Sequence, residues 1–206
     1  MKLLVYSSYL LSAAHSAALG RLVGKEPRDI TIAAIANATD LIPAEERWWV
    51  ADSRDSLGQD GAQVEAIDLR NWRDDRDGLR EKLASKDVIW LSGGHTYYLR
   101  WILRETGADA IIQSLVRGGT VLAVVGVMTG PTLRGFERFD DPKEAPEVIW
   151  DGLGLTEAVV VPHMDLDEFG EGMREIERQL REAGYATVPL TEAQAFLVDG
   201  DVQEVI

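Results

Sequence analysis

Residues 88–105 read VIWLSGGHTYYLRWILRE. Four apolar residues (88–91) give way to Ser92-Gly93-Gly94-His95-Thr96, and a helical pattern follows over 98–105. So short and apolar a run suits a strand buried on both faces, as in parallel sheets flanked by helices. The unit recurs along the chain. Residues 3–6 (LLVY), 30–35 (ITIAAI), 64–69 (VEAIDL), 121–127 (VLAVVGV) and 158–161 (AVVV) are further runs of this kind. Helical patterns lie between them. Trp49, Ser53 and Leu57 share one face, residues 110–116 (AIIQSLV) follow Gly107, and Met173, Ile176, Leu180 and Ala183 recur at helical spacing before Gly184. Strand and helix in alternation predict a three-layer, doubly wound α/β fold, its sheet mostly parallel with helices on both faces. The tail departs from this pattern. Residues 195–198 (AFLV), Asp199-Gly200 and residues 202–206 predict a C-terminal β-hairpin on an Asp-Gly turn. With no repeat, linker or low-complexity stretch, residues 1–206 read as one domain.

Composition excludes several functions. The formal charge is −14, from 35 acidic and 21 basic residues. Such a surface repels phosphate backbones and anionic lipid, so neither nucleic acid nor membrane is expected as a partner. There are no cysteines, which removes disulfides, thiolate metal sites and cysteine nucleophiles. The first 18 residues share the charge and small residues of a secretory leader, but Ser7, Ser8 and Tyr9 interrupt the apolar stretch, and residues 2–7 read as a buried strand. No later stretch approaches the ~20 apolar residues of a membrane span. The expected setting is cytoplasmic.

Sheets of this type bind ligands beyond the carboxyl ends of their strands. That rule selects Ser7-Ser8, residues 37–40, 92–96, 126–132 and 162–165. The glycine pair Gly93-Gly94 can aim backbone N–H groups at an anion, or can be a tight turn only. His163, directly after a strand, can be a general base or can bond a loop carbonyl. Asp140-Asp141-Pro142 can supply a carboxylate to a histidine, and turn chemistry explains it equally well. Asp165, Asp167, Glu168 and Glu171 lack a metal-ligand spacing and read as a solvated helix start, so no metal or other cofactor is expected.

Taken in order, these segments resemble the peptidase E family, which includes α-aspartyl dipeptidases and cyanophycinases. Ile35-Ala36-Asn37-Ala38-Thr39-Asp40 is similar to the family's second strand and Asn-Ala-x-Asp turn, and residues 90–99 to its Gly-Gly-Asn-Thr segment, with His95 in place of Asn. Residues 130–135 (GPTLRG) and Asp140-Asp141-Pro142 resemble the stretch after its nucleophile, and residues 149–155 (IWDGLGL) with Val161-Pro162-His163 the approach to its histidine. The resemblance implies a class I glutamine amidotransferase-like fold and a serine-type peptidase site. In it His163 would be the base, Asp141 (less favourably Asp140) the acid, and Gly93, Gly94 and His95 the oxyanion and substrate turn.

The departure is at the nucleophile, which the family carries on a Gly-x-Ser-Ala-Gly elbow. Residues 119–131 read GTVLAVVGVMTGP, with no serine, and are roughly three residues short of that layout. Thr129 is the hydroxyl residue within the shortened turn. The resemblance therefore implies a dipeptidase for N-terminal aspartate that is impaired or diverged. The alternatives are a hydrolase using Thr129 or a His163-activated water, and a non-catalytic binding or interaction protein. The expected partner is a small peptide or acidic metabolite, with Arg134 or Arg100 available to its carboxylate. A homodimer is a possible assembly.

Overall fold

A computed structural model describes residues 1–206, the side chain of Trp48 aside. Strands β1 (Lys2–Tyr6), β2 (Thr31–Ile35), β3 (Gln63–Ala66), β4 (Val88–Leu91) and β5 (Val121–Val125) pair in parallel, and β8 (Ala195–Asp199) and β9 (Val202–Val205) extend the sheet antiparallel. The order is β3-β2-β4-β5-β1-β8-β9. Because side chains alternate along a strand, each central strand feeds both faces. Leu3, Val5, Ile89, Leu91, Leu122 and Val124 face one core, and Leu4, Tyr6, Val88, Trp90, Val121 and Ala123 the other. The first core is closed by helices α3 (Arg76–Ala84), α4 (Thr96–Glu105), α5 (Ala108–Arg117) and α6 (Gly170–Glu182). The second is closed by α1 (Ala13–Val23) and α2 (Trp48–Gly58).

The three-layer sheet and the C-terminal hairpin agree with the sequence expectation. Lys2–Tyr6 is a central strand, between β5 and β8, so this stretch is part of the core. One element differs from the reading of the apolar runs. The sixth run forms β6 (Val159–Val161) but leaves the main sheet and pairs in parallel with β7 (Thr187–Pro189) in a separate two-stranded sheet. That pair lies over the first core beside α6, where the three valines are fully buried. Strand β7 and helices α1 and α3 were not apparent in the sequence.

The Asn37–Asp40 turn joins three elements. Asn37 Nδ2 donates to Asp40 Oδ2 (2.8 Å) and Asp68 Oδ1 (3.0 Å), its Oδ1 accepts from Leu69 N (3.0 Å), and Tyr98 Oη donates to Asp40 (3.2 Å). The Arg70 guanidinium on Asp68, with the bond from Asn37, outweighs burial and holds that carboxyl down at about 2. The turn thus ties the ends of β2 and β3 to the start of α4.

Candidate active site

The carboxyl ends of β1, β4, β5, β6 and β7 converge on a cavity of about 760 Å³. His163 projects from the end of β6. Among the described residues it is the one non-glycine residue with positive φ, at 61°. That conformation disfavours a side chain by about 1–2 kcal/mol, so surrounding bonds must hold it. Ser7, at the end of β1, accepts the His163 N–H at Oγ (2.7 Å) and donates from Oγ to Glu192 Oε1 (2.8 Å). Glu192 follows β7, and its Oε1 lies 2.5 Å from His163 Nδ1. Glu192 is placed in turn by its own N–H, which donates to Asp165 Oδ1 (2.8 Å). Burial pulls the Glu192 pKa up, but the bonds from His163 and Ser7 more than offset it, and the net shift is downward. An ionised carboxylate on Nδ1 orients the imidazole and leaves Nε2 as the nitrogen able to act on a ligand. The Phe169 ring packs 5.5 Å from the imidazole and fixes its other side.

The glycine pair forms the facing wall. Gly94 sits at φ 132°, and a Cβ there would fall 2.6 Å from the Ala38 carbonyl oxygen, so only glycine fits. His95 closes the turn by donating its N–H to Ala38 O (2.7 Å), and its Nδ1 accepts from Tyr98 N (3.1 Å). Asp140 lines the cavity, and its Oδ2 accepts from Thr96 N (2.9 Å). The first turn of α4 is therefore capped twice from within the protein. His95 Nε2 is 3.2 Å from Glu144 Oε2 but outside hydrogen-bond alignment, and Ser92 Oγ is buried without a partner.

The turn after β5 turns sharply at Gly126 (φ 93°), whose N–H donates to Tyr6 O (3.2 Å). Gly126, Val127 and Met128 present it to the cavity, and none carries a hydroxyl.

The structure brings Gly93, Gly94, His95 and His163 into one cavity and leaves two expected residues out. Asp141 is exposed, and its carboxylate caps a short turn by accepting from Lys143 N (3.0 Å); the acid on His163 is Glu192. Thr129 is fully buried outside the lining. Its carbonyl accepts from Leu155 N and Thr156 N, and its hydroxyl lies 3.4 Å from that of Thr156. Neither arginine reaches the cavity. Arg100 is buried, with Nη1 3.0 Å from Asp109 Oδ2 and Nε donating to Asp151 O, and Arg134 stacks 4.5 Å over the Trp150 ring. Among the described residues no three acidic or histidine side chains form a group that could hold a metal ion. Glu192 was missed because β7 was missed. With the run TVPL read as a strand, the strand-end rule would have selected it.

The peptidase family S51 model matches residues 18–206. The chain belongs to peptidase family S51. It is 26% identical over 167 residues to an uncharacterized peptidase of Pasteurella multocida (77% of each chain) and 26% over 161 residues to one of Listeria monocytogenes (76% of this chain, 77% of that one). Its fold superposes on a Listeria monocytogenes EGD-e protein solved as a candidate peptidase E, with TM-score 0.84 at 21% identity, covering 100% of this chain and 97% of the other. It also superposes on a peptidase from an acI-B1 Actinobacterium, with TM-score 0.73 at 15% identity, covering 100% and 86%. The S51 fold thus accounts for the sheet.

Proposed function

We propose that this S51 chain is a cytoplasmic protein that keeps the ligand-binding and base half of a small-peptide hydrolase site and has lost the covalent half. The observation that carries this reading is the turn Gly126–Val127–Met128, which faces the cavity from the end of β5 without a hydroxyl. Covalent acyl transfer needs a nucleophile within reach of its base. Loss of a triad nucleophile lowers kcat by about six orders of magnitude and leaves binding largely in place. Ser7 is a poor substitute. Its oxygen accepts the His163 N–H and its hydroxyl donates to Glu192, so it serves to hold the pair.

A second reading has its own support. The His163–Glu192 pair at 2.5 Å, with Glu192 kept ionised, is an oriented base that can activate a water directly. Hydrolysis of a dipeptide panel, including N-terminal aspartyl peptides, tests both against His163→Ala. The primary reading expects no turnover above the variant. Turnover that vanishes with His163→Ala would overturn it in favour of the water mechanism.

A further inference from the structure

The charge around the cavity is one-sided. Four carboxylates line it, from Asp140, Glu144, Glu168 and Glu192, and no lysine or arginine among the described residues does. Arg100 and Arg134 are held elsewhere by Asp109 and by the Trp150 ring. The N-terminus of α4, a ready seat for an anion, is closed by Asp140 on Thr96 N and by His95 on Tyr98 N. An arriving carboxylate would meet like charge without a compensating cation, which disfavours it strongly.

Two further observations point to a ligand. Ser92 is wholly buried and lines the cavity, and its Oγ has no hydrogen-bond partner, whereas His95 Nε2 has the Glu144 carboxylate at 3.2 Å. Buried polar atoms are nearly always paired, so a bound molecule is a natural source of the bond the Ser92 hydroxyl lacks. Much of the remaining lining is apolar, from Phe136, Phe139, Phe169 and Met173, with Phe169 packed on His163 and on Phe139. A ligand that satisfies all three features has a cation, a hydrogen-bonding amide and an apolar body.

We propose that the cavity takes the free N-terminus of a short peptide whose first residue is apolar, and discriminates against N-terminal aspartate. The ammonium group faces the carboxylates, the first side chain packs on the phenylalanines, and the first carbonyl accepts a hydrogen bond from Ser92 Oγ. This specificity rests on the small-peptide reading of the site given above.

Calorimetric titration with three matched probes tests it: phenylalanyl-leucinamide, its N-acetyl form and aspartyl-leucinamide. The first is expected to bind at least about tenfold more tightly than the other two in low salt, with the margin shrinking at about 0.5 M salt. The double variant Glu144→Gln, Glu168→Gln removes two carboxylates, and is expected to weaken the first probe about three- to tenfold while leaving the acetylated one unchanged. Ser92→Ala is expected to weaken both phenylalanyl probes without lowering the melting temperature, since its hydroxyl has no protein partner to lose. Binding of aspartyl-leucinamide equal to or tighter than phenylalanyl-leucinamide overturns the specificity and leaves the small-peptide reading standing. Failure of all three probes to bind overturns both.

Discussion

Gly94 and Gly119 offer a matched pair of backbone positions, and replacing each with alanine separates strain from steric conflict. Both have φ in the region open chiefly to glycine, 132° and 110°. A side chain held there costs about 1–3 kcal/mol. At Gly119 a Cβ meets nothing within 4 Å, so that cost stands alone. At Gly94 the Cβ would lie 2.6 Å from Ala38 O and 2.8 Å from its carbonyl carbon. Those atoms are backbone, and Ala38 O also accepts the 2.7 Å bond from His95 N, so the neighbour can move only by giving up that bond. Overpacking adds about 1–3 kcal/mol and a weakened hydrogen bond about 1 kcal/mol. The loss of unfolded-chain entropy on Gly→Ala is the same at both sites and cancels in the comparison. Gly94→Ala is thus expected to be less stable than Gly119→Ala by about 2–4 kcal/mol, a large share of a domain's total. In urea unfolding with unchanged slopes this separates the midpoints by about 1–2 M. Because the displaced His95 caps α4 in the cavity wall, ligand affinity should fall with Gly94→Ala and persist with Gly119→Ala. Equal destabilisation at the two sites would refute the close approach of the Gly94 turn to the second strand's loop.

Three other outcomes are expected. His15 is buried on α1 against Tyr6, and burial outweighs its bond to the backbone at Ala193, so its pKa lies below the ordinary 6.5. The unfolded chain then takes up a proton near pH 6.5 that the folded chain refuses. The stability contribution is therefore complete above that pH and lost as pH falls below it, by up to about 1.4 kcal/mol per pH unit. Urea unfolding at pH 7.0 and 5.5 should show a smaller drop for His15→Gln than for the parent, and equal drops would sink the assignment. At the site, Asp141→Asn and Thr129→Val should leave binding of phenylalanyl-leucinamide within about twofold, since neither side chain lines the cavity. Glu192→Gln should weaken binding and reduce any hydrolysis; an unaffected Glu192→Gln beside an impaired Asp141→Asn would restore Asp141 as the acid.

The sequence by itself determined the sheet and the edge that carries the site. Runs such as ITIAAI and VIWL, alternating with helical patterns, suit strands buried on both faces of a parallel sheet, and each places its next residues at the carboxyl edge. Ser7, the Ser92–Thr96 turn and His163 follow from that rule. Local chemistry also marked the hairpin at Asp199-Gly200. Elements without a local signal were hidden. Helix α3 has only Leu79 and Leu83 buried along RDGLREKLA, and α1 is built largely of alanine, serine and glycine, so neither shows a strong apolar period. Strand β7 is three residues long and ends in proline. The acid on His163 was out of reach for the same reason. Asp141 sits in a turn whose capping bonds are local and legible, whereas Glu192 stands 29 residues beyond His163 and 185 beyond Ser7. Only the packing of β6 and β7 over the sheet brings these three side chains together, because their contact depends on long-range strand placement that no short stretch of sequence encodes.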